Sequence, residues 1–542
     1  MAELLDIFGF LSVLLRALTL SLGAIVIGGI SFWHLVARQV IEKDETEFSA
    51  GRRIICGTLI GLAITQGASL FTNTAILADT AGICLSDVFG ASFFLWGCLS
   101  IGAAAVLAFR SAERRFKGCV PILAALVILC STVATSHAVA RLDHRPVLLL
   151  ATAAHQAATA CWIGGLPFLL VSLAATKNLT SANILCRRFS SLAIGSVCVL
   201  ASAGLVMSWF YVGSMSALYG TNYGLMLVGK VILFAMLILL GSFNRSITRQ
   251  LGRGDTNLLF RLRRFGEVEI GIGITAILTA ASLTSQPPAV DLASSTVSWP
   301  IIAVRMLPMA PLMKTPPLAT LSPSSMALWK KQHEADPTAG QTFIPGESYS
   351  PPTKGDIEWS EYNHHWSGLV VLVMGILAVL SRFPHMQWAR HWPLAFVGLA
   401  VFLFLRADPE NWPLGPNGFW ESFSSADVTQ HRLFVVLILL FAAFEWGVQT
   451  SRLNSVRAAL VFPLICAIGG AMLVTHTHAL TNLKEQLLIE YSHLPLALLA
   501  VSAGWARWLE LRLPGSGRVL AGRIWPVCFA LIGVVLLLYR EA

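Results

Sequence analysis

Six histidines, His364, His365, His431, His476, His478 and His493, stand where hydrophobic runs of this chain begin or end. Imidazole ligates metals through a neutral ring nitrogen, and placing it near lipid without a partner is unfavourable. Several imidazoles brought to one depth would make a metal or haem site. Whether they share a depth depends on which runs cross a membrane, and in which direction.

The chain has 542 residues, 55% of them hydrophobic and 12% charged, with a mean hydropathy of +0.69. Those values belong to polytopic membrane proteins. A hydrocarbon core is crossed by about 20 apolar residues of helix, and about fourteen segments qualify. The expected fold is therefore an all-α, multi-pass membrane protein. Eight segments lie near 9–33, 54–77, 84–109, 119–140, 147–174, 190–213, 223–243 and 266–285, and six near 364–381, 391–406, 431–449, 457–477, 492–510 and 523–539. An N-terminal block (1–285) and a C-terminal block (364–542) are thus joined by a linker, 286–363, that is rich in proline (QPPAVDL, KTPPLATLSP, SYSPPTKGD) and expected to be extended. The start, MAELLDIFGF, has no basic residue before Arg16, unlike a cleavable signal peptide, so the first helix is expected to remain.

Alternate loops of the first block, 34–53, 110–118, 175–189 and 244–265, hold 17 Lys or Arg, and the opposite connections hold 2. By the positive-inside rule the basic loops are cytoplasmic and both termini and the linker face outward. This explains the net charge of +9 without a nucleic-acid partner. On this topology His364 and His365 open the ninth segment, His431 opens the eleventh, His476 and His478 close the twelfth and His493 opens the thirteenth, all on the outer face. One histidine at an interface is an ordinary amphipathic residue; six at one level point to a site. The expected capture site is His365, His431, His476 and His493, with His364 and His478 as alternates. His476 and His478 are two residues apart, about 200° around a helix, and share an ion only where that helix ends. His137 and His155 form a smaller pair in the first block, with Met207 as a soft ligand suited to Cu(I). Trp162 and Gly164-Gly165 follow His155, the glycines permitting close helix approach.

Arg16, Asp87, Lys230, Glu267, Glu269 and Glu445 fall inside apolar spans and need partners there. The ten cysteines form no CxxC pair, which argues against a disulfide framework or a thiolate motif. No Walker A loop or phosphorylation motif is present, which disfavours an ATP-driven pump.

The strings HQAATACWIGGLPFL, RRFSSLAIGSVCVLASAGLVMSWFYVGSMSAL and TNYGLMLVGKVILFAMLILLGSFNR resemble the copper resistance protein D family, CopD or PcoD. EYNHHWSG, ARHWPLAFVGLAVFLFLRADPENWPLG, HRLFVV, LVTHTHAL and SHLPLALLAVSAGWARWLELRLP resemble the C-terminal extension of its longer members. The resemblance runs from about Ala151 to Pro514. It implies an inner-membrane protein of copper homeostasis that moves Cu(I) or Cu(II) between periplasm and cytoplasm and is not an enzyme. Two alternatives remain open. Paired histidines on facing helices also suit haem b, with His365, His431, His476 and His493 as axial candidates in an electron-transfer protein that reduces copper. The linker and the loop RADPENWPLGPNGFWESFSSAD would suit docking of a periplasmic copper carrier.

Overall fold

Hydrocarbon supplies no hydrogen-bond partner, so a chain this apolar must pair its backbone groups within helices. The computed structural model describes residues 2–41, 49–80, 84–112, 118–176, 178–251, 256–321, 353–423, 426–475 and 483–541, and among these every regular element is a helix. The principal ones are α1 (Ala2–Phe32), α2 (Ser49–Thr80), α3 (Ser92–Ala112), α4 (Val120–Ala134), α5 (Arg145–Thr159), α6 (Leu179–Val212), α7 (Asn222–Leu251) and α8 (Thr256–Leu283), followed by α9 (Lys354–Leu380), α10 (Ala395–Arg406), α11 (Ala426–Gln449), α12 (Val461–Thr475), α13 (Leu483–Arg512) and α14 (Gly515–Leu537). Thirteen of the described helical segments are long and apolar enough to cross a membrane, and α4 is a shorter apolar helix.

Several boundaries differ from the hydropathy reading. The fourth segment stops at Ala134, because Thr135 leaves helical geometry and the Ser136 hydroxyl donates to the Val133 carbonyl at 2.6 Å. His137 then opens a separate turn, His137–Ala140. Helix α9 begins at Lys354, ten residues before the apolar run, since Thr353 and Asp356 form a capping box that starts it. Likewise α13 starts at Leu483 and α11 at Ala426. His364, His431 and His493 therefore lie within helices and not at their ends. The described part of the linker holds 3-10 turns at Ala289–Ser295 and Leu318–Thr320 and a short helix, Trp299–Arg305.

The helices group into two compact units, one built from Ile7–Thr296 and the other mainly from Val297–Leu473 with α13 and α14. In the second unit α14 packs along both α9 and α13, and Trp392, Phe462, Trp525 and Phe529 form an aromatic core. Beside it, Glu510 receives Arg382, Arg507 and the Trp525 indole N–H at 2.7 Å, so a buried acid is balanced by one buried and one more exposed arginine.

In the first unit α5 runs through a π turn, Ala160–Gly164, into the helix Leu166–Ala175. A π turn adds a residue and redirects the side chains that follow, an arrangement often found at functional positions. Here it seats Gly164 against the Ala24 carbonyl of α1 so closely that an added Cβ would overlap the oxygen. Small residues let backbones meet where lipid offers no hydrophobic drive to association. Gly164→Leu should lower stability by about 1–3 kcal/mol or more through overpacking. Gly195→Leu, with open space around its Cβ, should leave the thermal transition of the detergent-solubilised protein unchanged; equal transitions for the two variants would refute the contact.

Candidate functional site

In the second unit three of the six histidines singled out by the sequence gather around Tyr539. His364 stacks on the Tyr539 ring at 4.0 Å between centroids, and His493 meets its edge at 6.4 Å. Each donates Nδ1–H to the carbonyl one turn earlier, His364 to Ser360 and His493 to Ile489, both at 2.8 Å. That bond fixes the tautomer and leaves Nε2 as the lone-pair nitrogen. His365 is fully buried. Its Nδ1 accepts from the Leu312 N–H and its Nε2–H donates to the Tyr539 carbonyl, both at 2.7 Å. Both nitrogens are thus spent on backbone, and His365 serves as a clamp between segments, with no lone pair left for a metal in this arrangement.

His431 stands apart from that group. Its Nδ1 meets Asp408 Oδ1 at 2.7 Å, with the imidazole side chain 48% exposed. His476 and His478 lie outside the described residues. Among the described residues no group of three or more His, Cys, Asp or Glu is placed to hold a metal ion.

The smaller pair in the first unit has a different setting. His137, His155 and Met207 line one cavity of about 450 Å³, together with Arg16, Thr132, Gln156, Trp162, Tyr211, Tyr223 and Lys230. His155 lies on α5, Met207 on α6, Lys230 on α7, Arg16 on α1 and Thr132 on α4, so five helices and the His137 turn supply its polar groups. His137 Nε2 and His155 Nδ1 are both buried without a hydrogen-bond partner. Buried polar atoms of this kind are uncommon in folded proteins, and here they face a space that a further group could fill. Burial above all, with Arg16 and Arg141 nearby, holds the His137 imidazole below the ordinary histidine range, in the neutral form that ligates metals. The Met207 thioether accepts from the Thr152 hydroxyl at 3.5 Å.

The two cations of this cavity rest on neutral groups. Arg16 donates to Thr135 Oγ1 at 2.7 Å and to the Thr132 and Thr135 carbonyls at 3.3 Å. Lys230 Nζ meets His155 Nε2 at 3.4 Å. No Asp or Glu is among the lining residues.

Trp162, on the π turn and 2% exposed, lines both this cavity and a second one of about 230 Å³. The second is lined by Cys186, Ser190, Cys198, Asn244, Arg245 and Glu269. The indole N–H of Trp162 donates to Glu269 Oε1 at 3.2 Å, and Asn244 donates to Oε2 at 2.6 Å. Of the intramembrane charges flagged by composition, Glu267 pairs with Arg264 and Glu445 with Gln449. The role of Trp162 was not visible in sequence, since its partner lies 107 residues away; the one local signal was the Gly164-Gly165 pair that follows it.

Residues 184–283, which include Met207, Lys230 and Glu269, match the Copper resistance protein D family. The chain is 27% identical over 301 residues to the Copper transport protein CutJ of Bacillus subtilis (strain 168), covering 51% of this chain and 52% of that one. It therefore spans about half the length of the curated relative it matches. No solved structure matches the chain. The protein is thus a multi-pass membrane protein related in part to copper-handling proteins.

The clamp at His365 yields a prediction. His365→Phe removes both of its hydrogen bonds and leaves a buried N–H and C=O unpaired, at about 1–3 kcal/mol for each. The thermal transition of the purified variant should fall while the copper it retains, by elemental analysis, stays unchanged. Loss of copper at unchanged stability would make His365 a ligand instead.

Proposed function

We propose that this protein moves copper across the inner membrane between periplasm and cytoplasm, with the His137, His155 and Met207 cavity as the cargo site. The reading rests above all on one observation: the two histidines and the methionine line a single cavity, and each imidazole keeps a buried nitrogen without a partner. The family match supports it by overlapping α6, α7 and α8, three of the helices that wall the cavity. The relative's printed name, a copper transport protein, points the same way.

The charge bias of the loops supports an orientation with the His137 end of the cavity toward the periplasm and both termini outward. Copper would enter there, taking Nε2 of His137 and the thioether of Met207, with His155 joining once it gives up Lys230. Imidazole and thioether together suit Cu(I), the softer ion. The further route runs past Trp162 into the second cavity, where the thiols of Cys186 and Cys198 offer soft ligands on the way to the basic, cytoplasmic loops. Glu269 holds the indole and so sets whether the two cavities communicate. Arg16 and Lys230 oppose a bare cation, since like charges 4 Å apart repel by about 4 kcal/mol at an effective dielectric of 20. The cargo must therefore bring or meet a counter-charge. In the second unit, His364 and His493 around Tyr539 would serve as a capture point on the same side. No chemical conversion is required of the protein in this scheme.

The test is copper stoichiometry on detergent-purified protein loaded with Cu(I). The His137→Ala, His155→Ala double variant should weaken binding more than about 100-fold, as loss of direct ligands exceeds the roughly 10–100-fold range of outer-shell changes. His431→Ala should leave it unchanged. The reverse result, loss with His431→Ala alone, would move the site to the Asp408 pair and overturn the assignment.

A further inference from the structure

The same cavity carries an inference that holds whether or not copper passes through it. Intramembrane cations are normally paired with acids, as Arg507 is with Glu510 in the other unit. Among the described residues Arg16 and Lys230 have no such partner. Arg16 has five N–H donors and gives them only to a threonine hydroxyl and two carbonyls. Lys230 has three and reaches one imidazole nitrogen at 3.4 Å. Because that contact uses Nε2 of His155 as the acceptor, the ring proton sits on Nδ1, which is buried near the Leu200 backbone without a well-formed hydrogen bond. Three donor groups on three helices thus line one cavity that contains no carboxylate.

The remaining walls are apolar: Leu20, Ile27, Leu200, Leu227, Phe234 and Ile277 supply much of the surface. A free inorganic anion would satisfy the donors but would leave these walls empty and lose its own hydration. An uncharged lipid would fill the walls and leave the donors orphaned. The volume, about 450 Å³, lies in the range of roughly 300–1,000 Å³ typical of small-molecule pockets.

We infer that this cavity is a binding site for an anionic amphiphile, a molecule with an acid group on a largely apolar body, whose acid is held by Arg16, Lys230 and the Nδ1–H of His155. Two sources share this chemistry: a fatty acid drawn from the bilayer, and a tetrapyrrole bearing carboxylate side chains. The ligand supplies the negative charge that the lining residues lack, and its body occupies the space between α1, α5, α6, α7 and α8.

The full-length protein, purified in a non-ionic detergent, tests this in two ways. Organic extraction and mass spectrometry of the protein as isolated should reveal a fatty acid near one per chain, or its absorption spectrum should show a Soret band; either identifies the source. After extraction, binding of oleate and of haemin is compared with that of methyl oleate and haemin dimethyl ester. At least one acid should bind tenfold or more tightly than its ester, and the Arg16→Met, Lys230→Met double variant should lose that preference. Arg390→Met, an exposed change elsewhere, should keep it. If the double variant does not fold, the acid-to-ester ratio on the unaltered protein still decides. Acid and ester binding equally, or neither acid binding, would overturn the inference. Copper stoichiometry is measured separately, so failure here leaves the copper reading standing, and loss of the copper reading leaves this one.

Discussion

Hydrocarbon gives a polar group nothing to bond to, and every feature of this protein follows from how that demand is met. Backbone groups are satisfied within helices, which is why the described residues hold nothing but helical elements. Side-chain hydroxyls turn back on the carbonyl a turn earlier, as Thr58, Thr65, Thr159 and Thr279 do. What remains after this local satisfaction is the informative part: the charged and imidazole groups that must look to another helix, or to something that is not protein.

The two units meet that remainder in opposite ways. Around Glu510 the solution is internal, with two arginines, one carboxylate and an indole N–H closing on each other and the guanidinium groups lying over the Trp525 ring. Such a cluster ties the end of α9 to α13 and α14 through charges that neutralise one another. Tyr539 plays a similar part at the other end of those helices, where His365 ties its carbonyl to the segment around Leu312. In the first unit the polar groups converge on a space instead of on one another. Arg16, His137, His155 and Lys230 face a cavity, and their partners are too few and too weak to be the reason they are there.

The membrane-spanning character and most of the spans were legible in the sequence, because hydropathy over some twenty residues measures the same transfer free energy that places a helix in lipid. Helix ends were not. Lys354 to Asn363 and Leu483 to Tyr491 read as loop because they are polar, yet they continue α9 and α13; hydropathy reports where lipid begins, while capping and propensity decide where a helix begins. The sequence offered the histidines as a group; of the four that are described, three surround Tyr539 and His431 does not. Which ring nitrogen each one keeps free was not legible, since that depends on carbonyls such as those of Ser360 and Tyr539, the second of which is 174 residues from the ring it binds. Arg16 and Lys230 were recognisable as cations that need partners. An acid was the natural partner to seek, and none lines their cavity.

This contrast decides how the histidines should be weighed. Number and depth favoured the C-terminal set, with six residues against two, and those criteria count imidazoles without asking what each one is already bonded to. Once bonding is counted the order changes. His365 has both nitrogens engaged and His431 shares Nδ1 with Asp408, so the larger set loses two of its members to structure. The smaller set keeps an unbonded, buried nitrogen on each ring. A ligand site is defined by coordination capacity left over after folding, and the N-terminal helices enclose theirs, His137 Nε2 and the Met207 thioether, in a cavity between Arg16 and Lys230. The positive charge there makes the same cavity selective: whatever enters must carry negative charge or be accompanied by it, which couples any metal in this site to the anion that neutralises its walls.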